Sequence, residues 1–170
     1  QRAQMMAEVA SKAYGQIKDV KATHWQGYKE VTGQYDWVVA CSTETSIGLK
    51  LDIKELRAFA DTLNAKLMLD ATASIGLEDN HELADAVSYS SCKGLFGLTG
   101  AAFVGFNEMP NFEIPSFNLS IGSHLGKKMT GPYHAICSVD EILKDHQNFK
   151  AAVKICKDHF MRKFDANLYF

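Results

Sequence analysis

Two short apolar runs constrain the fold of this chain more than any other feature. They cover residues 67–69 and residues 86–89. Their length and their polar flanks are those of buried parallel strands. The sequence therefore predicts an α/β fold in which these two runs belong to one sheet.

Each predicted strand ends in polar side chains. Asp70 follows the first run directly, while Ser90, Ser91 and Lys93 follow the second. Open α/β sheets bind their ligands just beyond the carboxyl ends of their strands. We therefore expect the acid Asp70 and the amine Lys93 to face the same crevice.

The pairing of Asp70 with Lys93 suits pyridoxal phosphate chemistry. A lysine in a partly dry pocket can lose its proton and attack an aldehyde to form a Schiff base. A nearby carboxylate can hold a protonated ring nitrogen and keep a pyridinium ring electron-poor. Each residue taken alone also fits a structural role, Asp70 as a turn or cap residue and Lys93 as a solvated surface residue.

The remaining apolar pattern agrees with this fold class. Residues 37–40 and 101–106 are predicted to be two further strands, and Asp52 is expected to cap a helix that reaches about Asn64. The apolar face of that helix comprises Ile53, Leu56, Ala60 and Leu63. Strand, loop, helix and strand in this order predict a βαβ unit with a right-handed crossover.

Further elements are expected on both sides of this unit. The sequence predicts a helix over residues 1–14, a short strand over 18–21 and a helix-and-turn connection over 24–33. Ser138 and Glu141 have the spacing of a capping box, which places the start of a long C-terminal helix at Ser138.

Composition and charge exclude several other functions. With 170 residues a single domain is expected, and an apolar content of 46% and a charged content of 22% are ordinary for a soluble globular protein. A formal charge of −2 gives no reason to expect nucleic acid or an anionic membrane as a partner. No apolar run has the length of a membrane span, and no secretory signal is visible. The cysteines and histidines form no metal-binding pattern, so no metal site and a reducing, cytoplasmic location are expected.

The motifs around Asp70 and Lys93 resemble those of the class V aminotransferases, which are fold-type I pyridoxal phosphate enzymes. The similarity lies in residues 69–76 (Leu-Asp-Ala-Thr-Ala-Ser-Ile-Gly), residues 90–94 (Ser-Ser-Cys-Lys-Gly) and the glycine-rich turn 97–100. The resemblance implies a three-layer αβα fold with a mostly parallel sheet and pyridoxal 5′-phosphate as the cofactor. It also implies that Lys93 is the catalytic Schiff-base lysine and that Asp70 binds the ring nitrogen.

The resemblance adds two threonines to the cofactor-binding residues. Residues 41–48 resemble the family's Glu-Thr/Ser-Ser-Thr-Gly loop, whose cofactor-contacting hydroxyl corresponds to Thr45, although Ile47 departs from the pattern. Thr130 corresponds to a threonine that reaches the cofactor phosphate of the other subunit, which implies a homodimer. On the residues alone, an ordinary Ser/Thr turn and an ordinary loop threonine explain these positions as well.

The resemblance extends over about residues 1–160 but covers only part of the family's chain. We expect residues 1–170 to form part of the large, cofactor-binding domain, without the N-terminal phosphate-binding loop and the C-terminal small domain. The implied activity transfers an amino group from a small amine or amino acid to a 2-oxo acid, either pyruvate or glyoxylate. The fragment itself is expected to be inactive, because a phosphate group needs several backbone N–H donors at a helix start.

Two other functions stay open. The cysteine desulfurases of the same class carry a histidine before the Schiff-base lysine, and the aminotransferases usually carry glutamine or asparagine, whereas this chain has Cys92. The second alternative is a truncated domain that folds and dimerises without turnover. The link between Asp70 and Lys93 is shorter than in the family, which favours this second alternative.

Overall fold

The computed structural model describes residues 5, 8–9, 11–12, 19–109, 116, 119–126 and 131–164. Thr130 lies outside these residues, and so does most of the helix expected over residues 1–14. The short strand expected over residues 18–21 does not form at residues 19–21, because this stretch pairs with no neighbouring strand.

A four-stranded sheet forms the centre of the fold. Its strands are β1 (Trp37–Cys41), β4 (Lys66–Asp70), β5 (Ala86–Ser90) and β6 (Ala102–Phe106), in the spatial order β1-β4-β5-β6. The first three are parallel, while β6 runs antiparallel to β5. A hairpin of β2 (Thr43–Glu44) and β3 (Leu49–Lys50) follows β1. All four sheet strands predicted from the sequence are confirmed, and so is the α/β fold with a mostly parallel sheet.

Helix α1 (Ile53–Thr62) connects the hairpin to β4 and packs on one face of the sheet. Asp52 caps it as predicted, since its side chain accepts a hydrogen bond from the Lys54 amide at 2.7 Å. The buried core cluster consists of Ile53, Leu56, Ala60, Leu67, Leu69 and Ala84. Buried and exposed residues alternate along β4, so the pleat turns its leucines toward α1 and turns Asp70 to the opposite face.

The sheet face opposite α1 is only partly covered by the described residues. Four large apolar side chains on it are between 37% and 55% exposed: Trp37, Val39, Met68 and Val104. Asp70 shares this face, because it lies two residues beyond Met68 along the strand. The acid thus stands at a strand end and on the open side of the sheet.

The C-terminal region forms two helices, α3 (Tyr133–Leu143) and α4 (His146–Lys163), instead of the single long helix that the sequence predicts. A short helix, α2 (Ile121–Gly126), precedes them. The break between α3 and α4 falls at Lys144 and Asp145. No helix in the described part of the chain is long and apolar enough to cross a membrane.

The capping box predicted at Ser138 is wrong, because Ser138 lies inside α3. Its hydroxyl donates to the Ala135 carbonyl at 2.8 Å and accepts a hydrogen bond from the Leu98 amide at 2.8 Å. Bonding to the preceding helical turn is a common use of a serine within a helix. The hydroxyl that a cap would need therefore ties α3 to the turn that follows β5.

Candidate active site

Asp70 stands where the parallel strands of the sheet end. In the register of the sheet it lies between Cys41 of β1 and Ser88 of β5. Its side chain is exposed, and its Oδ1 accepts a hydrogen bond from the Thr72 amide at 3.0 Å. This contact orients the carboxylate as in an Asx turn and leaves acceptor capacity on it for a ligand.

Lys93 occupies the turn after β5, and hydrogen bonds around it fix the turn. The Lys93 carbonyl accepts from the Phe96 amide at 2.9 Å, and the Ser91 carbonyl accepts from the Gly97 amide at 2.8 Å. The buried Ser91 hydroxyl donates to the Leu98 carbonyl at 2.6 Å. The Lys93 side chain itself is exposed, so the described residues do not form the partly dry pocket that was expected around it.

The turns that carry Asp70 and Lys93 touch each other at Gly94. The Gly94 amide donates to the Thr72 carbonyl at 3.2 Å. A Cβ at position 94 would lie only 2.4 Å from the Ile75 carbonyl oxygen, so a side chain there would force the two backbones apart. This close approach holds the acid and the amine at the ends of neighbouring strands.

Thr45 is exposed at the tip of the β2–β3 hairpin. The Glu44 carboxylate shapes the tip, because its Oε1 accepts from the Ser46 amide at 3.0 Å and from the Ser46 hydroxyl at 2.7 Å. At the base of the hairpin, the Ser42 amide donates to the Asp70 carbonyl at 3.3 Å. The hairpin that carries Thr45 is therefore joined directly to the end of β4.

Three of the four predicted site residues, Asp70, Lys93 and Thr45, thus lie on segments at the carboxyl edge of the sheet. Thr130 lies outside the described residues, so its role and the homodimer stay predictions. The roles assigned to the other three also stay predictions, because their positions fix where they stand and not what they bind.

Two cysteines near this edge differ in acidity. The pKa of the Cys92 thiol is lowered, first by its hydrogen bond with Ser90 and then by one with Thr99. The pKa of the Cys41 thiol is raised mainly by burial, although a hydrogen bond with the backbone of Thr43 opposes the change. Cys92 is therefore the more readily ionised of the two. No group of three histidine, cysteine or acidic side chains in the described ranges could hold a metal ion.

A buried hydrogen-bond chain beside the site has no counterpart in the sequence-based predictions. Ser42 Oγ lies 2.7 Å from Ser74 Oγ, which lies 2.9 Å from His81 Nε2. The two serines are 2% and 1% exposed. Both fall within the motifs 41–48 and 69–76, so their hydroxyls were a usable signal, whereas nothing in the sequence marks His81.

A cleft of about 350 Å³ lies between the hairpin and the loop after β4, but Asp70 and Lys93 do not line it. Lys50 and Glu78 in its lining form an ion pair, and Asp79 pairs with Lys150. Lys50 and Lys157 both contact Glu78, and although burial acts to raise the pKa of Glu78, these two cations lower it. Because these ion pairs occupy the charges that a ligand would need, we place the candidate site at the strand edge and not in this cleft.

No protein-family model matches the sequence, and no curated protein does either. Solved structures do match the fold. Pyridoxamine-pyruvate aminotransferase from Mesorhizobium loti matches with a TM-score of 0.57 and 22% identity over 88% of this chain and 38% of that chain. Ureidoglycine-glyoxylate aminotransferase from Bacillus subtilis matches with a TM-score of 0.54 and 21% identity, over 65% and 34% of the two chains. A cysteine desulfurase from Thermococcus onnurineus matches with a TM-score of 0.51 and 17% identity, over 68% and 33%.

These matches confirm the fold class and the structural resemblance to the class V aminotransferases. All three identities are below 25%, so the matches establish the fold and leave the reaction to be argued from the site. The chain spans about a third of the length of the solved structures that it matches.

Proposed function

We propose that this protein is a pyridoxal phosphate-dependent aminotransferase. One observation carries the proposal: an aspartate with unused acceptor capacity and an exposed lysine stand on neighbouring strand ends, and Gly94 holds their turns together. Ligands of open α/β sheets bind at this edge. The match to two aminotransferase structures supports the same cofactor and reaction class.

The groups at this edge fit pyridoxal 5′-phosphate. The Asp70 carboxylate can accept a hydrogen bond from a protonated ring nitrogen, and the Lys93 amine can bond to an aldehyde carbon. Thr45 offers a hydroxyl for the phenolic edge of the ring, and Thr130 is proposed to bind a phosphate held by the other subunit. When bound, the cofactor supplies the aldehyde and an electron-poor ring that accepts the electron pair left as a proton departs from the substrate α-carbon.

Asp70 and Lys93 have distinct tasks in this mechanism. The negative charge of Asp70 favours the charged form of the ring nitrogen, and so keeps a proton on that atom. Lys93 would hold the cofactor through its Nζ, and the same amine, once released by the incoming substrate amine, would carry the proton that leaves the substrate α-carbon. Its exposed side chain has the rotamer freedom to change position between these two tasks.

The proposed substrates are a small amine or amino acid as donor and pyruvate or glyoxylate as acceptor. The matched enzymes from M. loti and B. subtilis are named for pyruvate and glyoxylate, respectively, which supports this acceptor class. We propose a homodimer as the working unit. The 170 residues expressed alone are expected to bind the cofactor weakly and not to transaminate, because they span about a third of the matched aminotransferases.

The test is Lys93→Ala in the protein as its gene encodes it. Wild type should bind pyridoxal phosphate with visible absorption, and borohydride should fix the cofactor to the peptide that contains Lys93. The variant should lose this attachment and at least about 10³-fold of its amino-transfer rate, while its thermal unfolding stays unchanged because the side chain is exposed. Lys54→Ala on α1 is the matched control and should behave as wild type. Borohydride-sensitive absorption that persists in the Lys93 variant would mean that another lysine is the attachment site.

A cysteine desulfurase is the second candidate. The T. onnurineus structure shares the fold, and Cys92 stands where neither class has its usual residue. Cysteine and alanine with glyoxylate are therefore assayed side by side. The proposal expects a new amino acid from alanine and glyoxylate; sulfide release from cysteine without amino transfer would replace it with the desulfurase.

A further inference from the structure

The backbone of Ser42 joins three segments of the candidate site. Ser42 lies between β1 and β2, and its amide donates to the Asp70 carbonyl at 3.3 Å. Its own carbonyl accepts from the Leu51 amide at 2.9 Å, directly after β3. Both arms of the hairpin that carries Thr45 therefore meet at Ser42, next to the last residue of β4.

The side chain of Ser42 extends this junction to the loop that follows Asp70. Its hydroxyl bonds to the Ser74 hydroxyl at 2.7 Å, and Ser74 bonds to His81 Nε2 at 2.9 Å in the short 3₁₀ helix His81–Leu83. Both serines are almost fully buried. A buried hydroxyl that loses its partner keeps the cost of leaving water, so each link of this chain depends on the others.

The tautomer of His81 decides the direction of donation along these three side chains. A neutral imidazole has one donor and one acceptor nitrogen, so with its hydrogen on Nδ1 it accepts at Nε2. Ser74 then donates to His81 and Ser42 donates to Ser74, in place of the contact between the Ser74 hydroxyl and the Ala71 carbonyl at 3.4 Å.

We propose that Ser42, Ser74 and His81 are positioning residues whose hydrogen-bond chain holds the Thr45 hairpin beside Asp70, and so sets the affinity of the strand-edge site for pyridoxal phosphate. The proposal rests on the proposed function, and it names residues that touch neither the substrate nor the cofactor. This hydrogen-bond chain anchors the base of the hairpin among buried residues, whereas the contacts at the hairpin tip are exposed to solvent. If the anchor is lost, Thr45 moves relative to Asp70.

Two pairs of variants test the chain. Ser74→Ala removes its central link. His81→Phe keeps a ring of similar size but offers no acceptor, whereas His81→Gln keeps an acceptor at about the reach of Nε2. Asp85→Asn is the matched control, because it removes the charge that pairs with Arg57 and leaves Ser42, Ser74 and His81 unchanged.

Two readouts are taken on the protein as encoded: hydrogen exchange of amides 43–51 without cofactor, and titration with pyridoxal phosphate. In Ser74→Ala and His81→Phe these amides should exchange their hydrogens faster. Both variants should bind pyridoxal phosphate about tenfold more weakly, as expected for the loss of one buried hydrogen bond. His81→Gln should stay close to wild type in both readouts. Asp85→Asn should unfold more easily in urea but leave both readouts unchanged.

Several results would overturn the proposal. If amides 43–51 exchange at the wild-type rate in Ser74→Ala and His81→Phe, the hydrogen-bond chain does not anchor the hairpin, whatever the affinity for pyridoxal phosphate. Equal losses in His81→Gln and His81→Phe would mean that ring packing, not hydrogen bonding, is what matters. Wild type that takes up no pyridoxal phosphate would instead refute the proposed function. The two failures are distinguishable, because the proposal for Ser42, Ser74 and His81 expects normal uptake by wild type and a defect only in the variants.

Discussion

Two aspartates at opposite ends of the sheet put the same carboxylate to different uses. Asp85 precedes β5 at the amino edge, and its Oδ2 accepts hydrogen bonds from Arg57 Nη1 and from the Leu67 amide, both at 2.8 Å. Asp70 ends β4 at the carboxyl edge, and the Thr72 amide is its one hydrogen-bond donor among the described residues. The Asp85 carboxylate thus bonds to two groups that stabilise the fold, while the Asp70 carboxylate keeps most of its acceptor capacity for a ligand.

The difference follows from burial as well as from position. The side chains of Arg57 and Asp85 are 20% and 31% exposed, so their pairing excludes part of the water that would screen it. The Asp70 side chain is exposed, and its hydrogen bond to the Thr72 amide lies within its own turn. An acid that contributes little to the fold, at the edge where such sheets bind ligands, is the one available for chemistry.

The largest effect that separates the two acids should come from Asp70→Asn. An amide cannot stabilise a protonated ring nitrogen by charge, so the rate of amino transfer should fall by about 10²-fold or more. Binding of pyridoxal phosphate should remain detectable, and the free energy of unfolding should change by less than about 0.5 kcal/mol, since asparagine can still accept from Thr72. Single-turnover kinetics and urea titration measure the two quantities. An unchanged rate would reduce Asp70 to a turn residue.

Asp85→Asn should show the opposite pattern. Losing the charge beside the partly buried Arg57 should lower the free energy of unfolding by about 2 kcal/mol. The affinity for pyridoxal phosphate should stay unchanged, because the substitution lies at the far end of the strands. Urea unfolding and cofactor titration check both statements. A loss of affinity as large as the one in Ser74→Ala would show that the two edges are coupled, and the contrast between the acids would fail.

The features that the sequence predicts well are those with local causes. The strand β4 ends at Asp70 because the apolar run ends there, and α1 begins where Asp52 can cap it. The positions of Asp70 and Lys93 follow from the same signals, since each directly succeeds a predicted strand. Short-range pattern is sufficient when one residue and its neighbours decide the conformation.

The features that escape prediction depend on partners far away in the sequence. Ser138 has the spacing of a cap, but the Leu98 amide, 40 residues earlier, engages its hydroxyl within α3. Ser42 bonds to Ser74 across 32 residues, and only the packed fold brings His81 to them. Gly94 has the sequence context of an ordinary turn glycine, and only the folded structure shows that it packs against the Ile75 carbonyl. Tertiary contacts of this kind leave no periodic trace.

The smallest expected effect is a pH dependence of stability that comes from His81. Burial lowers the pKa of His81 below its ordinary value of 6.5, although the neighbouring acids Glu82, Glu78 and Asp79 act to raise it. In the unfolded chain the imidazole returns to its ordinary value, so below about pH 6.5 the unfolded state binds more protons than the folded state. The stability that neutral His81 contributes is therefore complete above this pH and is lost as the pH falls through the lowered pKa.

The measurement is the free energy of unfolding of wild type and of His81→Gln from about pH 7.5 down to about pH 5. Wild type should lose stability more steeply, because protonated His81 can no longer accept from Ser74, whereas glutamine does not titrate. The other histidines are common to both proteins and cancel in the difference. Asp85→Asn should keep the wild-type slope, since Asp85 pairs with Arg57 and the Leu67 amide and not with His81. Parallel curves for wild type and His81→Gln would show that His81 does not link its protonation to the hairpin anchor.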